Sequence, residues 1–179
     1  MSMDHKAYPF DHEGFSAELA PILRRALETG DVAPLVAFIE AHRDVVTDPY
    51  EGRPLPPDWQ DRLKVRDAHE YGDYALTAYY RIRDERGLAD VWQFVLEDVG
   101  NEVPGNAEEL VLGTPFGPAR NPFDPGKMGS FFRSAERARE DLAAVDAVIA
   151  TRRYSTTLED LARMLRRAVD AGRGLYVTF

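Results

Sequence analysis

The residues best placed to do chemistry are His69 and the acids around it, Asp67, Glu70 and Asp73. On a helix, residues four apart share a face, so His69 and Asp73 could pair as general base and orienting carboxylate, or as two metal ligands. The same spacing also describes an ordinary half-exposed histidine on a polar helix face. The other histidines, His5, His12 and His42, form no H-x-x-x-H or H-E-x-x-H pair with one another or with His69. Asp44, Asp48 and Glu51 are oxygen donors, but they lack the spacing and the glycine of a calcium loop. The chain contains no cysteine, which removes disulfides, thiolate metal sites and cysteine nucleophiles. No nucleophile elbow, Walker loop or dinucleotide fingerprint is present, so neither cofactor nor metal is expected.

A second candidate is the stretch "GTPFGPARNPFDPGKMGSFF", residues 113–132, with four glycines and four prolines. Gly126, Lys127 and Ser130 suggest a phosphate cradle, which needs consecutive inward N–H groups and an immediate helix start. Pro115, Pro118, Pro122 and Pro125 each delete an N–H, and the next helix waits until Ser134. The stretch therefore reads as a stiff crossing between two parts of one domain. The alternative is a recognition loop exposing Arg120, Asp124 and Lys127, with Phe116 and Phe123 anchored in the core.

Charge points to a third candidate. The net charge is −9, which opposes nucleic-acid backbones. Between Gly87 and Ala119 lie Asp90, Glu97, Asp98, Glu102, Glu108 and Glu109 with no Lys or Arg, whereas Arg152, Arg153, Arg163, Arg166, Arg167 and Arg173 crowd the C-terminal part. Either the two regions attract one another within the fold, or Glu97, Asp98 and Glu102 face a basic partner. Tyr50 and Trp59 lie in a proline-rich segment, "DPYEGRPLPPDW", which would hold them extended for a partner at low entropic cost.

The elements that must carry these residues follow from periodicity. At 179 residues and 44% hydrophobic content, a single globular domain over 1–179 is expected. A first helix over Ser16–Glu28 places Phe15, Leu19, Ile22, Leu23 and Ala26 on one face and ends at Gly30, with Pro21 predicting a kink or a late start. Asp31 caps a second, carrying Val32, Leu35, Val36, Ile39 and Val46. Residues 67–80 and 88–99 fit helices, but a strand competes over 74–82 and over 88–99. Ser134 caps a helix with Ala138, Leu142, Val145 and Ile149 inward. Thr156 and Glu159 form a capping box for the last helix, and "LYVTF" reads as a strand beside "GSFF". The predicted fold class is α+β, predominantly helical, with a small sheet that includes the C-terminal strand.

From Met128 onward, "GSFFRSAERAREDLAAV" and "EDLARMLRRAVDAGRGLYVTF" resemble the end of the YfbM-like family of small bacterial proteins. The resemblance covers under a third of the chain and implies an α+β fold without an established chemistry. The N-terminal part departs from that pattern, because the family opens directly on an apolar strand and this chain reads as having none.

No secretory segment or membrane span is recognisable, so a cytoplasmic location is expected. The leading functional expectation is a non-catalytic module that binds a basic protein through its acidic surface, an immunity or inhibitor protein in its most concrete form. The alternative is a small hydrolase using His69 with Asp67 or Asp73.

Overall fold

The computed structural model describes residues 3–179. Among them run strand β1 (Lys6–Phe10), helices α1 (His12–Thr29), α2 (Ala33–Ala41), α3 (Ala68–Leu76), α4 (Trp92–Glu102) and α5 (Ala107–Val111), strands β2 (Thr114–Pro115) and β3 (Ser130–Arg133), helices α6 (Ala135–Ala150) and α7 (Thr157–Asp170), and strand β4 (Gly174–Thr178). The fold is α+β, with the C-terminal strand in an antiparallel sheet of order β1-β4-β3-β2.

The opening strand corrects the reading of the N-terminus. Lys6–Phe10 pairs with Thr178–Gly174, and Pro9 is tolerated because β1 is an edge strand, where one side of the backbone needs no ladder partner. "KAYPF" is short and interrupted by that proline, so period alone could not reveal it. Helix α1 begins at His12, earlier than predicted, because the Asp11 carboxylate accepts the Gly14 N–H as its cap. It runs through Pro21, which faces solvent together with Ala17, the residue whose carbonyl loses its partner. Gly30 ends it in the left-handed conformation, φ 75°.

Several other boundaries move. Helix α2 stops at Ala41, and Val46 reaches the core from the following turn. Helix α3 ends at Leu76 and residues 77–78 follow it as a turn, and α4 starts at Trp92 rather than Leu88. The predicted capping box at α7 does not form: Thr156 makes no side-chain cap bond, and Glu159 accepts the Tyr154 hydroxyl instead.

Alternation along the strands sends two different sets of side chains to the two faces of the sheet. Tyr8, Phe10, Phe132 and Tyr176 pack with α1, α2 and α3. Ala7, Phe131, Leu175 and Val177 pack with α4, α5, α6 and α7. Two glycines permit close approaches. A Cβ on Gly72 in α3 would stand 2.7 Å from both Leu23 and Phe123, and one on Gly174 would stand 2.0 Å from the Arg133 carbonyl oxygen. Arg133, 2% exposed, crosses beneath the sheet edge to lie 2.9 Å from the Asp141 carboxylate of α6, and donates to the Glu109 and Leu110 carbonyls at the end of α5.

Candidate functional site

The His69 cluster is dispersed by the fold. The Asp67 carboxylate caps α3 by accepting the Glu70 N–H, and Glu70 accepts N–H groups from Lys64, Val65 and Arg66. His69 Nδ1 accepts the Asp124 N–H at 3.1 Å, and Nε2 lies 3.1 Å from Asn121 Oδ1. Those partners assign the proton to Nε2 and leave no ring nitrogen available as a base. The ring stacks on Phe123, so His69 acts as a clamp on the glycine- and proline-rich crossing. Asp73 makes no bond to it and lies among tyrosines.

The crossing itself is an internal strut. Phe123 is buried and Phe116 packs beside it, and the Phe123 N–H donates to the Phe116 carbonyl at 2.7 Å. Asn121 donates to the Leu27 carbonyl of α1, which ties the strut to a second helix. Asp124, read as an exposed contact, turns inward: its carboxylate accepts the N–H groups of Met128 and Gly129 and holds the turn. Arg120 and Lys127 are exposed at its outer edge.

The acidic stretch divides into two kinds of residue. The Asp98 carboxylate accepts the Thr157 hydroxyl at 2.5 Å. The Glu102 carboxylate accepts the Ser155 N–H at 2.8 Å and the Ser155 hydroxyl. Together they hold Ser155 and Thr157 from α4 at the start of α7, and their charge suits the positive end of that helix. These two acids are therefore committed within the fold, though not by pairing with the C-terminal arginines. Glu97 is exposed, and one turn before it Phe94 is 64% exposed with Val91 beside it at 37%. A groove of about 630 Å³ runs alongside, lined by Arg86–Val91 and by Asp160, Arg163, Met164 and Arg167 of α7.

Tyr50 and Trp59 are also placed differently from one another. Trp59 is 1% exposed and donates Nε1–H to Glu40, so it anchors the proline-rich segment in the core and presents nothing to a partner. Tyr50 is 72% exposed. Its backbone N–H donates to Asp48, whose other oxygen accepts the Tyr74 hydroxyl at 3.4 Å. Behind it lies Asp73, 8% exposed, with its carboxyl pushed up to about 7 by burial and then by the charges of Asp48 and Glu70.

A cavity of about 730 Å³ was not anticipated from the sequence. It lies where the N-terminal ends of α1 and α6 approach Arg173, and it is lined by Asp11, His12, Glu13, Ser16, Glu136 and Arg139. Burial holds the His12 imidazole below its usual value, and its Nδ1 lies 3.3 Å from the Ser16 hydroxyl. The only sequence signal was His12–Ser16 spacing of four. Asp11 and Ser134 already cap the two helices, and three acids outnumber the two arginines beside the neutral histidine.

His5, 1% exposed, is a core residue whose Nδ1 accepts the Leu88 N–H; burial takes it down to about 4. Among the described residues no group of three or more potential ligands could hold a metal ion, and no helix is long and apolar enough to cross a membrane. Comparison of the chain with known protein families, with curated proteins and with solved structures finds no match.

Proposed function

We propose that this chain is a non-catalytic protein-binding module that receives a basic partner on the solvent face of α4, in the manner of an inhibitor or immunity protein. The observation that carries the reading is Phe94, an aromatic side chain 64% exposed in the first turn of α4. Glu97 follows it by three residues, so the two share a face of α4, and Asp90 lies in the turn just before the helix. An exposed aromatic beside an acid combines an apolar anchor with electrostatic steering, as interfaces do. The adjoining groove, lined by Arg86, Arg163 and Arg167 as well as Asp90 and Asp160, offers room for an uncharged or acidic side chain of the partner. The hydrolase alternative loses its base, because both nitrogens of His69 are occupied.

The test compares affinity capture from the source cells by the wild-type protein and by Phe94→Ser, with folding checked by circular dichroism. The expected outcome is a basic protein retained by the wild type and bound about tenfold or more weakly by Phe94→Ser. Its association rate should fall as salt is raised, since charges beyond about 8 Å are screened at physiological ionic strength. Equal retention by the two proteins, or an association rate indifferent to salt, would overturn the reading.

A further inference from the structure

We propose that the surface shared by α4 and the neighbouring groove is closed by a second copy of this chain, each copy seating Phe94 in the other's groove. The inference rests on the reading of Phe94 as an interface anchor, and it names an occupant for the groove beside that anchor. Val91 lines the groove, and its carbonyl accepts the Phe94 N–H at 3.0 Å, one turn on. Aromatic and groove therefore adjoin on one surface. Val91 and Phe94 are both large apolar side chains left open to solvent there. The groove, about 630 Å³, draws its apolar lining from Leu88 and Met164, which are themselves buried. An exposed ring beside an apolar recess is a knob next to a hole, on the same molecule.

Charge selects the occupant. On a chain of net charge −9, the groove carries Arg86, Arg163 and Arg167 against Asp90 and Asp160. Arg163 is paired with Asp160 at 2.7 Å, and Arg86 turns back onto the Glu85 carbonyl. The exposed side chain of Arg167 has no hydrogen bond or ion pair with any described residue, and neither has that of Glu97. A fitting occupant brings an apolar group with one negative charge beside it. The chain presents that combination itself, as Phe94 with Glu97 three residues on. Because knob and hole adjoin, a two-fold axis seats both rings at once and sets each Glu97 against the other copy's Arg167. Such a contact closes at two copies. Repulsion between two chains of charge −9 is long-ranged, and beyond about 8 Å it is screened at physiological ionic strength. In the pair Phe94 is covered, so capture of a partner on α4 competes with self-association.

Sedimentation equilibrium of the full chain, from about 1 μM to about 1 mM, tests the pairing. The expected result is a mass that rises from the 20.2 kDa of one chain to twice that value. Phe94→Ser, Arg167→Glu and Glu97→Arg, all at exposed positions, should each weaken the pair about tenfold or more, with folding checked by circular dichroism. Mixing Arg167→Glu with Glu97→Arg should restore a mixed pair, because each contact then joins one acid to one arginine again. Loss of folding or of apolar area cannot produce that rescue. Capture of a basic protein is read separately. A chain that stays monomeric yet retains a basic protein overturns the second copy and leaves the partner on α4 standing; a dimer that retains none does the reverse. A mass that rises past two chains, or a mixture that pairs no better than its separate variants, also overturns the proposal.

Discussion

The two faces of the sheet are packed with different chemistry. The face toward α1, α2 and α3 buries Tyr8, Phe10, Phe15, Phe38, Trp59, Tyr71, Tyr74, Tyr79, Tyr80, Phe123, Phe132 and Tyr176. The buried residues toward α4–α7 are Leu, Val, Ala and Met, with no aromatic among them. The difference matters because aromatic rings pack by orientation whereas aliphatic chains pack by volume. Phe132 illustrates it: its ring stacks on Phe15 at 5.2 Å with an interplanar angle of 3°, and meets Phe10 edge-on at 5.6 Å. Phenols also bring hydroxyl groups into the interior, and that is where a carboxyl such as Asp73 can be left without a charged partner. The aliphatic layer instead pairs its buried charges, as Arg133 does with Asp141 at 2.9 Å, and holds Asp98 and Glu102 against Thr157 and Ser155 before α7.

The largest contrast between the layers should appear in core substitutions. Phe132→Ala removes the ring on which Phe15, Phe10, Phe116, Phe123 and Tyr176 converge, and should cost about 3–5 kcal/mol. Leu161→Met on the other face conserves volume and should cost less than about 1.5 kcal/mol. Urea denaturation of both variants measures the difference. Equal losses would mean that ring orientation contributes nothing beyond burial.

An intermediate effect should come from Asp73, and its sign is opposite to that of a salt-bridged acid. Its folded value of about 7 lies above the unfolded value near 4, so the folded state holds a proton that the unfolded state has lost between those limits. The stability it contributes is present below about pH 4, declines as pH rises, and is gone above about pH 7. Asp73→Asn, which keeps shape without charge, should therefore be more stable than the wild type at pH 8, on the order of 2–4 kcal/mol, with the gap closing towards pH 4. Denaturation curves of the two proteins across that range decide it. A variant that is less stable at pH 8 would show that the ionised carboxylate has a partner after all.

The smallest effects separate the acids of α4. Glu102→Ala leaves the Ser155 N–H and hydroxyl without their acceptor and should cost about 1–2 kcal/mol. Glu97→Gln, at an exposed position with no cap to serve, should stay within about 0.5 kcal/mol. If Glu97→Gln destabilises as much as Glu102→Ala, the whole stretch is structural and no acidic docking face remains on α4.

Much of the frame was legible before any coordinates. The four-three-four spacing of Ala138, Leu142, Val145 and Ile149, the cap at Ser134 and the β-branched and aromatic run at the C-terminus are local signals. The structure places α6, β3 and β4 where those signals point, with Ser134 accepting the Arg137 N–H. Asp67 likewise caps its helix as its residue type allows.

What the sequence determined by itself was thus periodic and near-neighbour: helices with an apolar stripe, the stiffness of the prolines, the absence of thiols, and a stretch of acids without bases. Tertiary structure alone decided how each polar group is used, because its partner lies far along the chain. His69 meets Asp124 from 55 positions away, Ser155 meets Glu102 from 53, and Thr157 meets Asp98 from 59. A list of acids cannot distinguish the carboxylate that holds a distant hydroxyl from the one that is buried without a counter-charge. Asp98 and Asp73 are the same residue type on comparable helices, and only the packing around them gives one the Thr157 hydroxyl and leaves the other without a charged partner.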